Sequence, residues 1–241
     1  MTKASFQRYV RKAHRYLGVL LGIQFLCWTV GGLYFSWTKI DEVRGENLRR
    51  KESLVQPHEI KISLSDVLPT LQADSISKLT VAHVLSEAYY QISYFQQGLE
   101  KISLIHAATG AVRKPLTESE ALRVAKQSFL QPASVAGVAY VTTTNGHHEY
   151  RDKPLPAYAV TFNHPSNTTV YVSAELGTVQ SYRSNIWRIF DFLWMLHVMD
   201  FENRDNINNW LLRVFSTFGL ITLLSGFTLY FITSRKIMFT K

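Results

Sequence analysis

The chain has 241 residues, 46% of them apolar, a formal net charge of +8 and a pI of about 9.5. Its one cysteine, Cys27, excludes a disulfide framework within the chain. All 18 acidic residues lie between Asp41 and Asp205, and the sequence outside that interval carries only positive charge. The basic balance is therefore a topology signal, and a nucleic-acid partner loses its support.

Residues 1–16 hold Lys3, Arg8, Arg11, Lys12 and Arg15 and read as a basic cytoplasmic N-terminus. Leu17 to Trp37 follows without a charge and with one amide, Gln24. About 20 residues span a hydrocarbon core, so 17–37 reads as transmembrane helix 1. Its long apolar core and bulky aromatic end, with no small-x-small site, argue for an uncleaved anchor rather than a signal peptide. Cys27 within it reads as a small buried apolar side chain. Residues 38–59 are charged and mixed, with Pro57, and read as a linker.

Residues 60–185 read as one exported domain of two helix-plus-strand units. In the first, about 60–115, Ser63 caps a short helix through Leu71, and strands follow at Tyr89–Phe95 and Lys101–His106. A turn at Thr109-Gly110 closes it. In the second, about 116–185, Thr117 and Glu120 have the spacing of a capping box, predicting a helix to about Phe129. Strands are predicted near Val135–Thr143, Ala157–Phe162 and Thr169–Ser173. The stretch Leu104–Val112 matches Tyr171–Val179 as a strand, a glycine turn and a returning strand, so an internal duplication is the economical reading.

Residues 186–199 are almost continuously apolar but too short to span, and read as an amphipathic helix at the outer interface. Residues 200–209 make a polar turn in which Asn206 to Asn208 can cap the last helix. Trp210 to about Thr233 reads as transmembrane helix 2, with Arg213 snorkelling near its outer end. Trp37 and Trp210 sit where an outer aromatic belt belongs. Residues 234–241, with Arg235, Lys236 and Lys241, form a second basic cytoplasmic tail. The fold class predicted is a membrane-anchored α+β protein: two transmembrane helices flanking an exported domain of two helix-plus-antiparallel-strand units. Its first partner is the lipid bilayer.

Three stretches resemble a PepSY protein with associated transmembrane helices. They are Arg11–Gly18, with His14, opening the first span; Leu155–Val160 through Tyr171–Ser173 to Gly177–Val179; and Trp194–His197 with Leu224-Ser225-Gly226 around the last span. The resemblance implies a bacterial inner-membrane protein with both termini cytoplasmic and a periplasmic PepSY-like α/β domain. Relatives of that kind include peptidase inhibitors, four-helix proteins of iron uptake and haem-bearing siderophore reductases. This chain has two spans rather than four, a departure that bears on any electron path within one protomer.

His14 and His197 are the histidines beside apolar helices. One reading makes them axial ligands of haem b, which needs imidazole nitrogens facing into a helical bundle. The other places His14 among lipid phosphates beside Arg11, Lys12 and Arg15, and makes His197 a packed, hydrogen-bonded residue. On opposite faces of a bilayer of about 30 Å the two cannot share one haem. A two-fold homodimer would pair each with its mate, and Gly18 and Gly22 form a GxxxG that brings first spans together. Adjacent His147 and His148 point to opposite faces if extended, and with Asn145-Gly146 they read as a solvated turn rather than a metal site. No HExxH, CxxC, nucleophile elbow, phosphate loop or paired catalytic carboxylates are present, so the chain carries no catalytic residues or metal site that its sequence makes legible. Two functional readings follow: a non-enzymatic accessory module binding a membrane or periplasmic protein, or a haem b redox component passing electrons to a periplasmic acceptor, as in iron or siderophore reduction.

Overall fold

Thirty-five residues without proline, and without a charge beyond Arg15, form one unbroken helix, α1 (Lys3–Trp37). The computed structural model describes residues 3–51 and 53–237, in two compact units: a helical unit of residues up to 39 and from 189, and an α+β unit of 40–188. The expected basic tails fall partly on residues 1, 2 and 238–241, which lie outside the described residues. The α+β unit opens with α2 (Ile40–Arg44), followed by α3 (Leu64–Val67), which tightens into a 3-10 turn to Leu71. Pro69 removes the backbone donor that a continued α-helix would use.

Two four-stranded antiparallel sheets follow. The first comprises β1 (Ser75–Val84), β2 (Glu87–Gln96), β3 (Leu99–His106) and β4 (Val112–Arg113) in the order 1-2-3-4. After α4 (Glu118–Ser128) the second comprises β5 (Val135–Val141), β6 (Ala157–Phe162), β7 (Thr169–Ser173) and β8 (Val179–Arg183), again in chain order. Helix α5 (Asn185–Val198) leads to α6 (Trp210–Ile237). The expected capping box is present: Thr117 Oγ1 accepts from the Glu120 amide, and the Glu120 carboxylate accepts from the Thr117 amide at 2.9 Å. Strand β1 has no counterpart in the sequence reading. Its hairpin turn, Leu85-Ser86, takes φ of 51° and 75°, the conformation that Asn-Gly normally announces.

Each sheet repeats the same wiring. Gly110 (φ 72°) donates to His106 O, and Gly177 (φ 70°) donates to Ser173 O. The Ala107 carbonyl accepts from Ile62, just before the Ser63 cap, and the Ala174 carbonyl accepts from Leu116, just before the Thr117 cap. The helix entry is thus tied to the same point of the third strand in both halves, which carries the duplication beyond the nine matched residues.

Alternation assigns the faces. Tyr90, Ile92, Tyr94 and Ile105 pack with Val67 and Leu71 under α3. The opposite face of that sheet contributes Val84, Tyr89 and Leu104 to a core with Ala121, Ala125, Val160, Phe162, Val170 and Val172 of the second half. Leu48, from the stretch read as a linker, is buried in that core, and the Leu48 carbonyl accepts from Leu130. The far face of the second sheet is closed by the connection before β6, whose Tyr150 stacks on Tyr171 at 4.6 Å.

Helices α1 and α6 are each long and apolar enough to cross a membrane, and only 11% of each apolar window is buried within the chain. They run antiparallel, with Gly219 of α6 beside Phe25, and Gly226 beside His14. The first helix begins well before Leu17, because its basic residues are good helix formers and no breaker intervenes.

Candidate functional site

His14 is turned toward α6. Its Nδ1 lies 2.8 Å from Ser225 Oγ and 3.2 Å from the Thr222 carbonyl. The Ser225 hydroxyl spends its proton on the same Thr222 carbonyl, at 2.7 Å. Both neighbours of Nδ1 are therefore acceptors, so the network assigns the ring proton to Nδ1. Nε2 has no hydrogen-bond partner among the described residues. Fixing one imidazole nitrogen as a donor to a carbonyl or hydroxyl is how ligand histidines are oriented in metal sites.

The His14 ring lines a cavity of about 640 Å³ whose other walls are Phe25, Gly219, Thr222, Leu223, Gly226, Phe227, Tyr230 and Phe231. Almost all of that surface is apolar. Gly226 packs closely on His14, where a Cβ would stand 3.2 Å from Cε1. The site is an open apolar groove between the two helices, since Leu223, Phe227, Tyr230 and Phe231 are all more than half exposed.

His197 lies elsewhere. Its ring is caged by Trp194, stacked at 6.1 Å, with Phe35 at 5.9 Å and Trp28 at 6.1 Å. Its Nδ1 is buried without a hydrogen-bond partner among the described residues. The end of α5 is held by side chains. Gln24 Nε2 donates to Leu196 O at 2.7 Å, Trp28 Nε1 to His197 O at 2.8 Å, and Asn209 Nδ2 to Val198 O at 2.8 Å. These are three of the four carbonyls that a helix C-terminus leaves orphaned. Phe190 and Trp194 also meet Phe35, so the second half of α5 lies along the C-terminal half of α1 and ends near its middle. Fourteen residues of α1 separate His14 from Trp28, so the two histidines stand roughly 21 Å apart along the helix, closer than a full bilayer. They remain too far apart to share one haem.

The same unit holds a salt bridge that sequence reading passed over. Asp191, only 4% exposed, accepts from Arg204 of the polar turn. Asp200 organises that turn by accepting from the amides of Glu202, Asn203 and Asn206. Asn209, one residue beyond the predicted stretch, caps α6 through its Oδ1 and the Leu212 amide at 2.8 Å.

In the α+β unit, His147 and His148 sit in the turn opened by Asn145 and approach no second ligand. No cluster of three His, Cys, Asp or Glu residues fit to hold a metal occurs among the described residues. The informative neighbour is Glu149. Arg188 grips it with Nε at 2.8 Å and Nη2 at 3.1 Å, and Tyr171 donates to it at 2.9 Å. Burial, and then the Glu149 charge, pushes the Tyr171 hydroxyl far above the usual phenol range. Of the remaining histidines, His83 pairs with Glu59 at 3.0 Å, His106 with Thr109 at 3.0 Å and His164 with Gln131 at 2.8 Å.

Of the stretches that carry the family resemblance, two meet here, since His14 touches Ser225 and Gly226, while the Leu196 and His197 carbonyls meet α1. Compared with family models, with curated proteins and with solved structures, the chain matches none.

Proposed function

We infer that this is a PepSY-like protein of the bacterial inner membrane, its α+β unit periplasmic, and that it works as a haem b redox component. The observation that carries the reading is the placement of His14: Nδ1 between the Ser225 hydroxyl and the Thr222 carbonyl, and Nε2 without a hydrogen-bond partner among the described residues, beside an apolar groove. His14 would hold a haem through Nε2. The haem would supply one-electron carriage toward a periplasmic acceptor such as a ferric chelate. The chain's own residues hold the His14 ring through Nδ1 and set Nε2 beside an apolar lining. A second copy would bring its own His14 as the other ligand, because His197 is too distant.

The test is the reduced-minus-oxidised spectrum of the full chain purified in detergent after haem-replete expression. A b-type α-band at one haem per two chains is expected, with loss in His14→Ala and retention in His197→Ala. A well-loaded preparation without such a band overturns the proposal.

The accessory reading keeps one specific observation in its favour. Strand β1 is an edge strand ten residues long that pairs only with β2 among the described residues, and it exposes Ile76, Leu79 and Val81. Such an edge accepts an extended partner segment by main-chain hydrogen bonding. A photo-crosslinker at Leu79 of the membrane-embedded chain should then capture one protein partner reproducibly, and Leu79→Pro should abolish the capture. Products seen equally with the crosslinker at Lys126, on α4, count against it.

A further inference from the structure

The two halves of the α+β unit enclose a second cavity, of about 820 Å³, that owes nothing to the helical unit. Strand register builds its floor. Thr80 pairs with Gln91 and Lys78 with Ser93, and Ser93 in turn faces Ile102, so these side chains form two rows on one face of the first sheet. At the other end of that face Tyr89 and Leu104 are in the core. The rows in the cavity are mixed, with Lys78, Thr80, Gln91 and Ser93 beside Ile102. The opposite wall is the hairpin Glu175–Gln180 with the loop Asp152–Leu155.

The floor is rigid. Gln91 is 8% exposed and fully committed: its Oε1 accepts from Thr80 at 2.9 Å, and its Nε2 donates to Leu176 O at 2.7 Å and Thr178 Oγ1 at 3.3 Å. That amide fixes the hairpin against the sheet and so fixes where Glu175 stands. The Glu175 carboxylate has neither a hydrogen bond nor an ion pair among the described residues, although basic side chains line the same cavity. Burial alone raises its pKa, with no compensating partner. A half-buried, unpaired carboxylate costs stability, and one set in a preformed polar cleft marks a place where a ligand supplies the missing partner.

We propose that this cleft binds a hydrophilic ligand through an ammonium or guanidinium group seated on Glu175, with Thr80 and Ser93 hydrogen-bonding the remainder. The site is independent of the haem reading. A free amine and a basic side chain of a peptide offer the same group, and size separates them: a peptide gains further contacts along the rows of the sheet, and a free amine does not.

The full chain in detergent is titrated by calorimetry with N-acetylargininamide, with its neutral citrulline counterpart, and with a capped Gly-Arg-Gly peptide. Saturable binding of the argininamide is expected, weakened at least tenfold by Glu175→Gln and by the citrulline replacement. Tighter binding of the tripeptide assigns the site to peptides, and equal binding assigns it to small amines. Glu175→Gln is also expected to raise the melting temperature, because it removes an uncompensated charge, whereas a structural carboxylate would lower it on removal. Absence of saturable binding by both cationic probes, or binding indifferent to Glu175→Gln, overturns the proposal.

Discussion

Gly177 shows how one residue holds the α+β unit together. Its φ of 70° is in the left-handed region, and a Cβ there would stand 2.8 Å from Val84 Cγ1 and 3.1 Å from Leu104 Cδ1. Gly177→Ala combines a left-handed backbone cost of about 1–2 kcal/mol with overpacking of about 1–3 kcal/mol. A loss of roughly 2–4 kcal/mol is expected, read as a lowered midpoint in denaturant titration. Gly98→Ala, also at positive φ but with open space around it, should cost only the backbone part. Equal losses at the two positions would refute the packing argument. The glycine was legible in the sequence as a turn signal. Its neighbours were not, because Val84 belongs to the strand whose hairpin turn lacks a glycine or asparagine. The same limit hid the tautomer of His14: the histidine stands out in the sequence, but Thr222 and Ser225 become its partners only through the pairing of two helices.

At the scale of elements, α4 is the case where sequence and structure agree best, because its start is written in local chemistry. The reciprocal bonds of Thr117 and Glu120 need only three residues of spacing. Glu120 also pairs with Arg113 at 2.6 Å. Hydrogen bonding from the Thr117 amide, against an opposing effect of burial, holds its carboxyl below the usual carboxylate range. A depressed folded pKa means that the unfolded chain binds the proton first. The stabilisation is fully present above the ordinary carboxylate pKa and is lost as pH falls through the lower, folded value. Wild type should therefore lose stability on acidification more steeply than Glu120→Gln, in the range below about pH 4.5. Parallel profiles of melting temperature against pH would show that the cap contributes nothing through its charge. The second half's strands were legible for a related reason: Ala157–Phe162 and Thr169–Ser173 are bounded by prolines and an Asn-His-Pro turn. Helix α5 was legible in extent but its packing partner was not, since an apolar fourteen-residue segment names no particular neighbour. The donors that decide the matter, Gln24 and Trp28, lie more than 160 residues earlier.

For the whole molecule, charge distribution and hydropathy foretold the division into a helical unit and an α+β unit, because both are properties of long segments. The boundary moved. Folding draws residues 40–59 into the α+β unit through Leu48, through the bond from Arg50 N to Ser128 O, and through Gly45, which sits against Tyr182 with no room for a Cβ. Neither cavity was legible. The one at His14 depends on the antiparallel level of α1 against α6. The one at Glu175 depends on a turn of the second repeat meeting a sheet of the first. That difference also separates the repeats in use: they share wiring, but only the first sheet leaves a polar face for a cleft.

Two of the three side chains that finish the end of α5 precede it in the chain. Gln24 and Trp28 are synthesised some 170 residues before the carbonyls they serve. When Leu196 and His197 emerge, their donors are already waiting on α1. Within the membrane proposed above, those carbonyls would have few other partners. The amino-terminal helix is thus a template on which the later hydrophobic segment is received, and the chain must keep its first helix in reach throughout the making of the domain between them.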